Sequence, residues 1–227
     1  MFDPTTPKGR ILAAALACAA KENWADVTLL DIAEEAALPL LALRGEFDTK
    51  DSIIAGLLRA VDDEVLKHVP KRSDGQEPRD ALFDILMTRF DVLAPHKAAL
   101  KSIHGSGLAD PVLARPFLSS MHWMLQAAGI GTDGMSGGLR ITGLATVYAT
   151  VFRVWLEDDD PGLARTMAAL DRRLRRGEST LRNVEWAGSV LSRFAAEGPG
   201  FLRSVLRGRP RPDPKPDPKP DPETVSV

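Results

Sequence analysis

The chain has 227 residues, a formal net charge of -2 and a hydrophobic fraction of 44%, which is enough to bury the core of a globular protein of one or two domains. A single cysteine excludes an internal disulfide, and no apolar run approaches the ~20 residues of a membrane span. The polar start is unlike a signal peptide. We therefore expect a cytoplasmic protein.

The first predicted elements are a helix over residues 10–21 and a helix-turn-helix over residues 28–50. Thr28 is placed to cap the second helix by accepting a hydrogen bond from the amide three residues later, where Asp31 faces the positive end of the helix dipole. Ala37 begins the corner, and Pro39 suits the first turn of the third helix. The apolar residues of that helix recur at helical spacing: Leu40, Leu43 and Phe47.

Apolar stripes with a period near 3.6 residues predict that the rest of the chain is helical, so the fold class is all-α. The remaining helices are expected over residues 50–69, 78–95, 96–104, 110–129, 139–155, 161–175 and 181–196. Residues 129–138 form a glycine-rich connector, and alternate prolines over residues 210–222 predict an extended, disordered tail. We divide the chain into a head (1–50), a linking helix (51–70), a helical bundle (71–207) and the tail (208–227).

The residue patterns give no reason to predict an enzyme, a cofactor or a metal ion. The four histidines are scattered, and Asp158, Asp159 and Asp160 are expected to be solvated at a corner between helices. Charge is uneven, since residues 1–70 carry seven Lys and Arg against twelve Asp and Glu, a balance of -5. That acidic head counts against a nucleic-acid partner.

The C-terminal half is predicted to hold a pocket for an apolar ligand, with a fully packed core as the alternative. Aromatic rings, flexible thioethers and the hydroxyl of Tyr148 would suit a long-chain or isoprenoid-like lipid, and the 129–138 loop would act as a lid or an entry. The predicted lining is Phe83, Phe90, Leu93, Met121, Met124, Leu125, Tyr148 and Phe152.

Two of the predicted helices, 139–155 and 161–175, are so apolar that we expect them to form a homodimer interface. The residues assigned to it are Leu144, Val151, Trp155, Leu163, Met167, Leu170 and Leu174. A further short segment, Phe201–Arg207, combines four apolar side chains with two arginines. It suits either contact with a membrane surface or docking on the core.

Residues 7–60 resemble the N-terminal domain of TetR-type transcriptional regulators. The resemblance is carried by Arg10-Ile11-Leu12-Ala13-Ala14-Ala15-Leu16, Trp24, Thr28-Leu29-Leu30-Asp31-Ile32-Ala33 and the run from Phe47 to Lys50. It implies a homodimer that binds operator DNA and releases it when an effector enters the bundle. Residues 87–97, 121–130 and 154–173 resemble instead the accessory lipid-binding protein of coenzyme Q (ubiquinone) biosynthesis, which shares the fold without acting as a regulator.

The resemblance to regulators implies five DNA-contacting residues. Thr28 and Lys50 match phosphate-contact positions, Arg44 is placed for a guanine or a phosphate, and Leu41 or Ala42 for thymine methyl groups. The recognition helix departs from the family because it lacks the usual small polar residue and lysine at its start. Both functions, DNA-binding regulator and lipid-binding accessory protein, therefore stay open.

Overall fold

The computed structural model describes residues 1–69, 75–106 and 111–177, and in these ranges the chain forms α-helices and one 3-10 turn but no strand. The predicted all-α fold is confirmed. The helices are α1 (Pro7–Lys21), α2 (Leu29–Glu35), α3 (Leu40–Glu46), α4 (Lys50–His68), α5 (Pro78–Leu93), α6 (Lys97–Gly105), α7 (Pro111–Ala127), α8 (Gly134–Leu156) and α9 (residues 164–177), with the 3-10 turn Ala94–His96 between α5 and α6.

Three sequence-based predictions lie outside the described residues: the helix over 181–196, the segment 201–207 and the tail 208–227. Within the described ranges, no helix is long and apolar enough to cross a membrane.

Local hydrogen bonds explain where the head helices begin. The Thr28 hydroxyl accepts from the amide of Asp31 at 3.2 Å, and the Asp31 carboxylate accepts from the amide of Thr28 at 2.8 Å. The predicted cap of α2 is thus confirmed as a reciprocal capping box. Thr49 and Ser52 form a second capping box at the start of α4.

The turn between α2 and α3 is tied to α1 by one side chain. Arg10 donates to the backbone carbonyls of Ala36 and Ala37 at 2.5 and 2.9 Å. Ala37 has a φ of +50°, a left-handed conformation that costs a residue with a Cβ roughly 1–2 kcal/mol. The hydrogen bonds from Arg10 help to hold this unfavourable corner in place.

The end of α1 is closed by a residue from a distant part of the chain. The Ser102 hydroxyl, on α6, accepts from the amide of Trp24 at 2.9 Å and donates to the carbonyl of Glu22 at 2.9 Å. Helix α1 packs along α6 as well as against α2, α3 and α4. The head therefore shares a contact surface with the C-terminal bundle.

Helix α4 belongs to both parts of the molecule. It packs against α1 in the head and against α5 and α7 in the bundle. Its buried side chains are Ile53, Ile54, Leu57, Val61, Asp62 and Val65, of which one is charged. Further contacts within the bundle join α5 to α7, α7 to α8 and α6 to α8.

The predicted loop over residues 129–138 is wrong in its second half, because α8 already begins at Gly134. A Cβ at Gly137 would lie 2.0 Å from the carbonyl oxygen of Thr132. Gly137 is therefore needed for close packing of the backbone. The glycines that suggested a flexible lid build the tight entry into a helix.

Helix α9 begins at residue 164, three residues later than predicted, because Asp158 and Asp160 both hydrogen-bond to its first turn. Asp160 accepts from the amide of Ala164 at 3.1 Å, and Asp158 accepts from the amide and hydroxyl of Thr166 at 2.8 and 2.7 Å. These hydrogen bonds from Thr166 lower the pKa of Asp158. Asp158 is only 1% exposed, so the expectation that it is solvated is wrong.

Candidate functional site

Helix α3, the second helix of the helix-turn-helix, is fixed by two apolar side chains and exposes most of the others. Leu43 and Phe47 are 1% and 7% exposed and pack into the head core. Leu40, which shares their helical spacing, is 50% exposed, because α3 begins at Leu40 and its first residue lies beyond the edge of the core. Two of the three apolar residues at this spacing are therefore buried.

The outward face of α3 carries one cation. Arg44 is exposed, and within the described part of the chain no acidic side chain lies within ion-pair distance of it. Leu41 is 80% exposed, and Ala42 is half-buried. These three predicted DNA contacts therefore share the short helix α3, with Arg44 and Leu41 on its accessible surface.

The two predicted phosphate contacts already have partners inside the protein. The Thr28 hydroxyl donates to Asp31 at 2.7 Å. The ammonium group of Lys50 donates to the carbonyls of Trp24 and Val27 at 2.5 and 2.6 Å and lies 4.6 Å from the centre of the Trp24 ring. Burial lowers the pKa of Lys50. In this conformation, Lys50 is bound to the loop between α1 and α2.

Exposed leucines dominate the remaining surface of the helix-turn-helix. Leu30 on α2 is 52% exposed, and Leu40 and Leu41 on α3 are 50% and 80% exposed. The acidic residues Glu34 and Glu46 are exposed on the same two helices. This surface combines apolar and acidic groups around Arg44, which differs from the basic surface usual for phosphate binding.

Three of the residues predicted to line the pocket, Phe90, Tyr148 and Phe152, pack together with Trp155 in the bundle. Phe90 stacks on Tyr148 and on Trp155, with ring centres 5.4 and 5.5 Å apart, and Phe152 lies 6.0 Å from Tyr148. Six of the eight are buried, whereas Phe83 and Phe152 are half-buried. The buried residues are Phe90, Leu93, Met121, Met124, Leu125 and Tyr148.

A buried ion pair lies beside this cluster and was not predicted. Arg89 on α5 pairs with Asp62 on α4, and its Nε donates to the hydroxyl of Tyr148 at 3.1 Å. Ser120 on α7 donates to the same carboxylate at 2.7 Å. Burial raises the pKa of Tyr148, against the opposing effect of Arg89, so its hydroxyl is neutral.

The sequence contained a signal for this network. Arg89 lies at helical spacing from Leu82, Leu86 and Leu93, on the face of α5 that was predicted to be apolar. Asp62 lies likewise beside Val61 and Val65 on α4. A charged residue in an otherwise apolar stripe is enclosed with its neighbours, and a buried charge requires a partner.

An open groove of about 670 Å³ lies between the first half of α5 and α9, away from most of the predicted pocket residues. Phe83 is the predicted pocket residue that lines it. The other lining residues are Arg79, Asp80, Asp84, Ala164, Met167, Ala168, Asp171, Leu174 and Arg175.

The residues assigned to the dimer interface mostly face the core of their own chain. Leu144, Val151, Trp155, Leu170 and Leu174 are buried in the single protomer. A buried side chain has no surface left for a partner to cover, so this part of the assignment is corrected. Leu163 is half-buried, and Met167 is 37% exposed.

The outer face of α8 is the surface that this helix leaves available. From residue 139 onwards its exposed residues recur at helical spacing and are mostly small: Leu139, Thr142, Gly143, Thr146, Ala149 and Arg153. Small side chains allow helices to approach closely. The predicted helix pair therefore stays a prediction for the dimer interface, with a different set of contacting residues.

The described residues form a helix-turn-helix, a fourth helix that packs against both head and bundle, and a C-terminal helical bundle. This architecture defines the fold class of the protein. No protein-family model and no curated protein matches the sequence. The fold does match solved structures. A TetR transcriptional regulator from Nitrosomonas europaea is 22% identical with a TM-score of 0.59, covering 75% of this chain and 97% of that one.

Two further structures have the same fold. A TetR transcriptional regulator from Rhodococcus sp. RHA1 is 20% identical with a TM-score of 0.58, covering 74% of this chain and 93% of that one. A TetR-family regulator from Streptomyces coelicolor is 15% identical with a TM-score of 0.50, covering 88% and 98%. The chain has the TetR fold, whereas the resemblance to the coenzyme Q accessory protein stays a prediction.

Proposed function

We propose that the protein is a TetR-type transcriptional regulator that binds operator DNA and is controlled by an apolar effector in its C-terminal bundle. The observation that carries this proposal is the geometry of the helix-turn-helix. Buried Leu43 and Phe47 fix α3 on the head, and Arg44 is exposed, with no acidic side chain within ion-pair distance among the described residues. The TetR fold supports the same class of function.

In this proposal, Arg44 reads a guanine edge or binds a phosphate, while Leu41 and Ala42 contact thymine methyl groups. Thr28 and Lys50 are proposed to bind phosphates. Lys50 then has to exchange its two carbonyl partners for a phosphate oxygen, which reduces the free energy it contributes to binding. We therefore expect weak, salt-sensitive DNA binding in which Arg44 contributes most of the specificity.

A homodimer is part of the proposal, because two recognition helices spaced by about one helical turn bind a palindromic site. The exposed small residues of α8, among them Thr142, Gly143 and Thr146, are the proposed contact surface together with Met167 of α9. A bulky charge in this face, as in Gly143→Glu, should give monomers in sedimentation experiments. If Gly143→Glu stays dimeric, the interface lies elsewhere.

DNA binding is tested by titrating the purified protein with the DNA flanking its own gene at several salt concentrations. We expect the affinity to fall as salt rises, and Arg44→Ala to cost about 1–3 kcal/mol and to alter base preference. Arg165→Ala, which removes an exposed arginine from α9, is the matched control. The absence of binding at low salt, or equal affinities for the two variants, would exclude a regulator of this kind.

A second candidate, a TetR-fold lipid-binding accessory protein of the ubiquinone-biosynthesis type, is favoured by one observation. Leu30, Leu40 and Leu41 expose apolar surface where a regulator would present polar groups. Such a surface suits docking to a membrane or a protein. Flotation with uncharged vesicles distinguishes the two candidates, because this one predicts binding that Leu41→Ser weakens and that DNA does not compete with.

A further inference from the structure

The buried pair of Asp62 and Arg89 connects four helices through charged groups. Asp62 lies on α4, Arg89 on α5, Ser120 on α7 and Tyr148 on α8, and each contacts another member of the set. Among the described residues, Arg89 is the one cationic side chain that is buried. An ion pair in such a place contributes little net stability, because desolvation offsets the attraction between the charges.

The two partners differ in their access to water. The side chain of Arg89 is 1% exposed, and that of Asp62 is 11% exposed. The guanidinium is therefore the fixed member of the pair, while the carboxylate lies nearer the surface. A carboxylic acid that reached Arg89 from within the bundle would compete with Asp62. The Asp62 side chain is the one of the pair that can move towards solvent.

The donor capacity of Arg89 also suits an acid. A guanidinium has five N–H donors in a planar fork, and the contacts to Asp62 and Tyr148 use one each. A carboxylate can accept two parallel hydrogen bonds from this fork, which is the strongest arrangement that arginine offers. A neutral hydroxyl accepts one.

The surroundings of Arg89 are apolar and aromatic. Its guanidinium carbon lies 5.3 Å from the centre of the Tyr148 ring, and Phe90 and Phe117 lie against the same ring at 5.4 and 6.0 Å. Phe117 and Phe152 are half-buried, so side chains that are partly open to solvent lie next to the buried network. A ligand with an acidic group and an apolar chain matches these neighbours.

We propose that the effector is a long-chain carboxylic acid whose carboxylate binds Arg89 in place of Asp62. This inference rests on the proposed effector function of the bundle and names the chemical class of the ligand. Two carboxylates cannot both stay buried against one guanidinium without a large electrostatic cost. Binding therefore moves Asp62 towards solvent and releases α4 from α5 at this point.

The test compares dodecanoate with dodecanol and methyl dodecanoate, which have the same chain and no negative charge. Their affinities are measured by titration calorimetry with the full chain, and bound species by native mass spectrometry. We expect dodecanoate to bind about tenfold more tightly than the alcohol, as expected for charge-assisted hydrogen bonds. Equal affinities for dodecanoate and dodecanol would overturn the proposal that Arg89 binds the carboxylate. The proposal of an effector site for apolar ligands would not be affected.

The variant Asp62→Asn provides a second comparison. It removes the negative charge that competes for Arg89 and keeps the shape of the side chain. Dodecanoate should raise the melting temperature of Asp62→Asn more than that of the wild type, whereas dodecanol should shift both equally. Asp171→Asn, which alters an exposed pair with Arg175, should respond as the wild type does. If Asp62→Asn does not fold, the comparison of acid with alcohol in the wild type still decides. Failure of all three ligands to bind would count against the effector function itself.

Discussion

Replacing Arg89 by methionine should strongly destabilise the protein. Methionine fills similar space but leaves the Asp62 carboxylate buried with Ser120 as its remaining hydrogen-bond donor. Breaking a buried ion pair by removing one partner costs about 3–5 kcal/mol. Water does not weaken the attraction between the two charges, because the side chain of Arg89 is 1% exposed. For a chain of this size we expect the melting temperature to fall by about 6–20 °C.

The double variant Asp62→Leu/Arg89→Met separates the charge effect from packing. It removes both charges, so most of the stability lost in Arg89→Met should return. The matched control is Arg175→Met, which breaks a pair whose side chains are 64% and 41% exposed and should cost a few tenths of a kcal/mol. Urea unfolding followed by circular dichroism, at one fixed protein concentration, measures all three free energies.

The reasoning is refuted if Arg89→Met and Arg175→Met lose the same small amount of stability. It is also refuted if the double variant is as unstable as Arg89→Met, because the loss would then come from packing and not from an unpaired charge.

The other predictions concern the backbone at two turns and one buried carboxylate. Gly137→Ala should lose about 1–3 kcal/mol in urea unfolding because its Cβ would meet the carbonyl of Thr132. Gly138→Ala, where nothing lies within 4 Å, should instead gain about 0.5–1 kcal/mol. Ala37→Gly should gain at most about 1 kcal/mol by removing the cost of its positive φ, and a loss would contradict that account. Because the pKa of Asp158 is lowered, its charge stabilises the fold above pH ~4, the usual value for an aspartate. The stability difference between wild type and Asp158→Asn should disappear on acidification through the lowered pKa, and a difference that does not change with pH would argue against the hydrogen bonds from Thr166.

Features that depend on neighbouring residues could be predicted from the sequence. The cap at Thr28 was predicted correctly because a capping box needs residues only three positions apart. The number of helices up to α9 and the corner at Ala37 follow from the same local signals. The TetR fold was predicted from the resemblance of residues 7–60 to the N-terminal domain of TetR-type regulators, and the solved structures support that fold.

Features that depend on distant contacts were missed or misplaced. Arg89 was overlooked because a charged residue on a helix is usually exposed, and its partner Asp62 lies 27 residues away. The exposure of Leu40 could not be predicted, because helical spacing gives the face of a helix but not where the core ends. The dimer residues on α8 were chosen for their apolar character, which cannot distinguish a contact within one chain from a contact between two chains.

The hydrogen bonds of Ser102 to Trp24 and Glu22 set an order in which the chain can fold during synthesis. Residues 1–50 contain all three helices of the head, yet the last turn of α1 is closed by a hydroxyl that lies 78 to 80 residues further on. A ribosome adding about 5–20 residues per second needs several seconds to supply it. Until α6 emerges, the nascent head lacks the surface on which α1 packs. The helix-turn-helix head is thus translated before α6 but completed only when α6 is available.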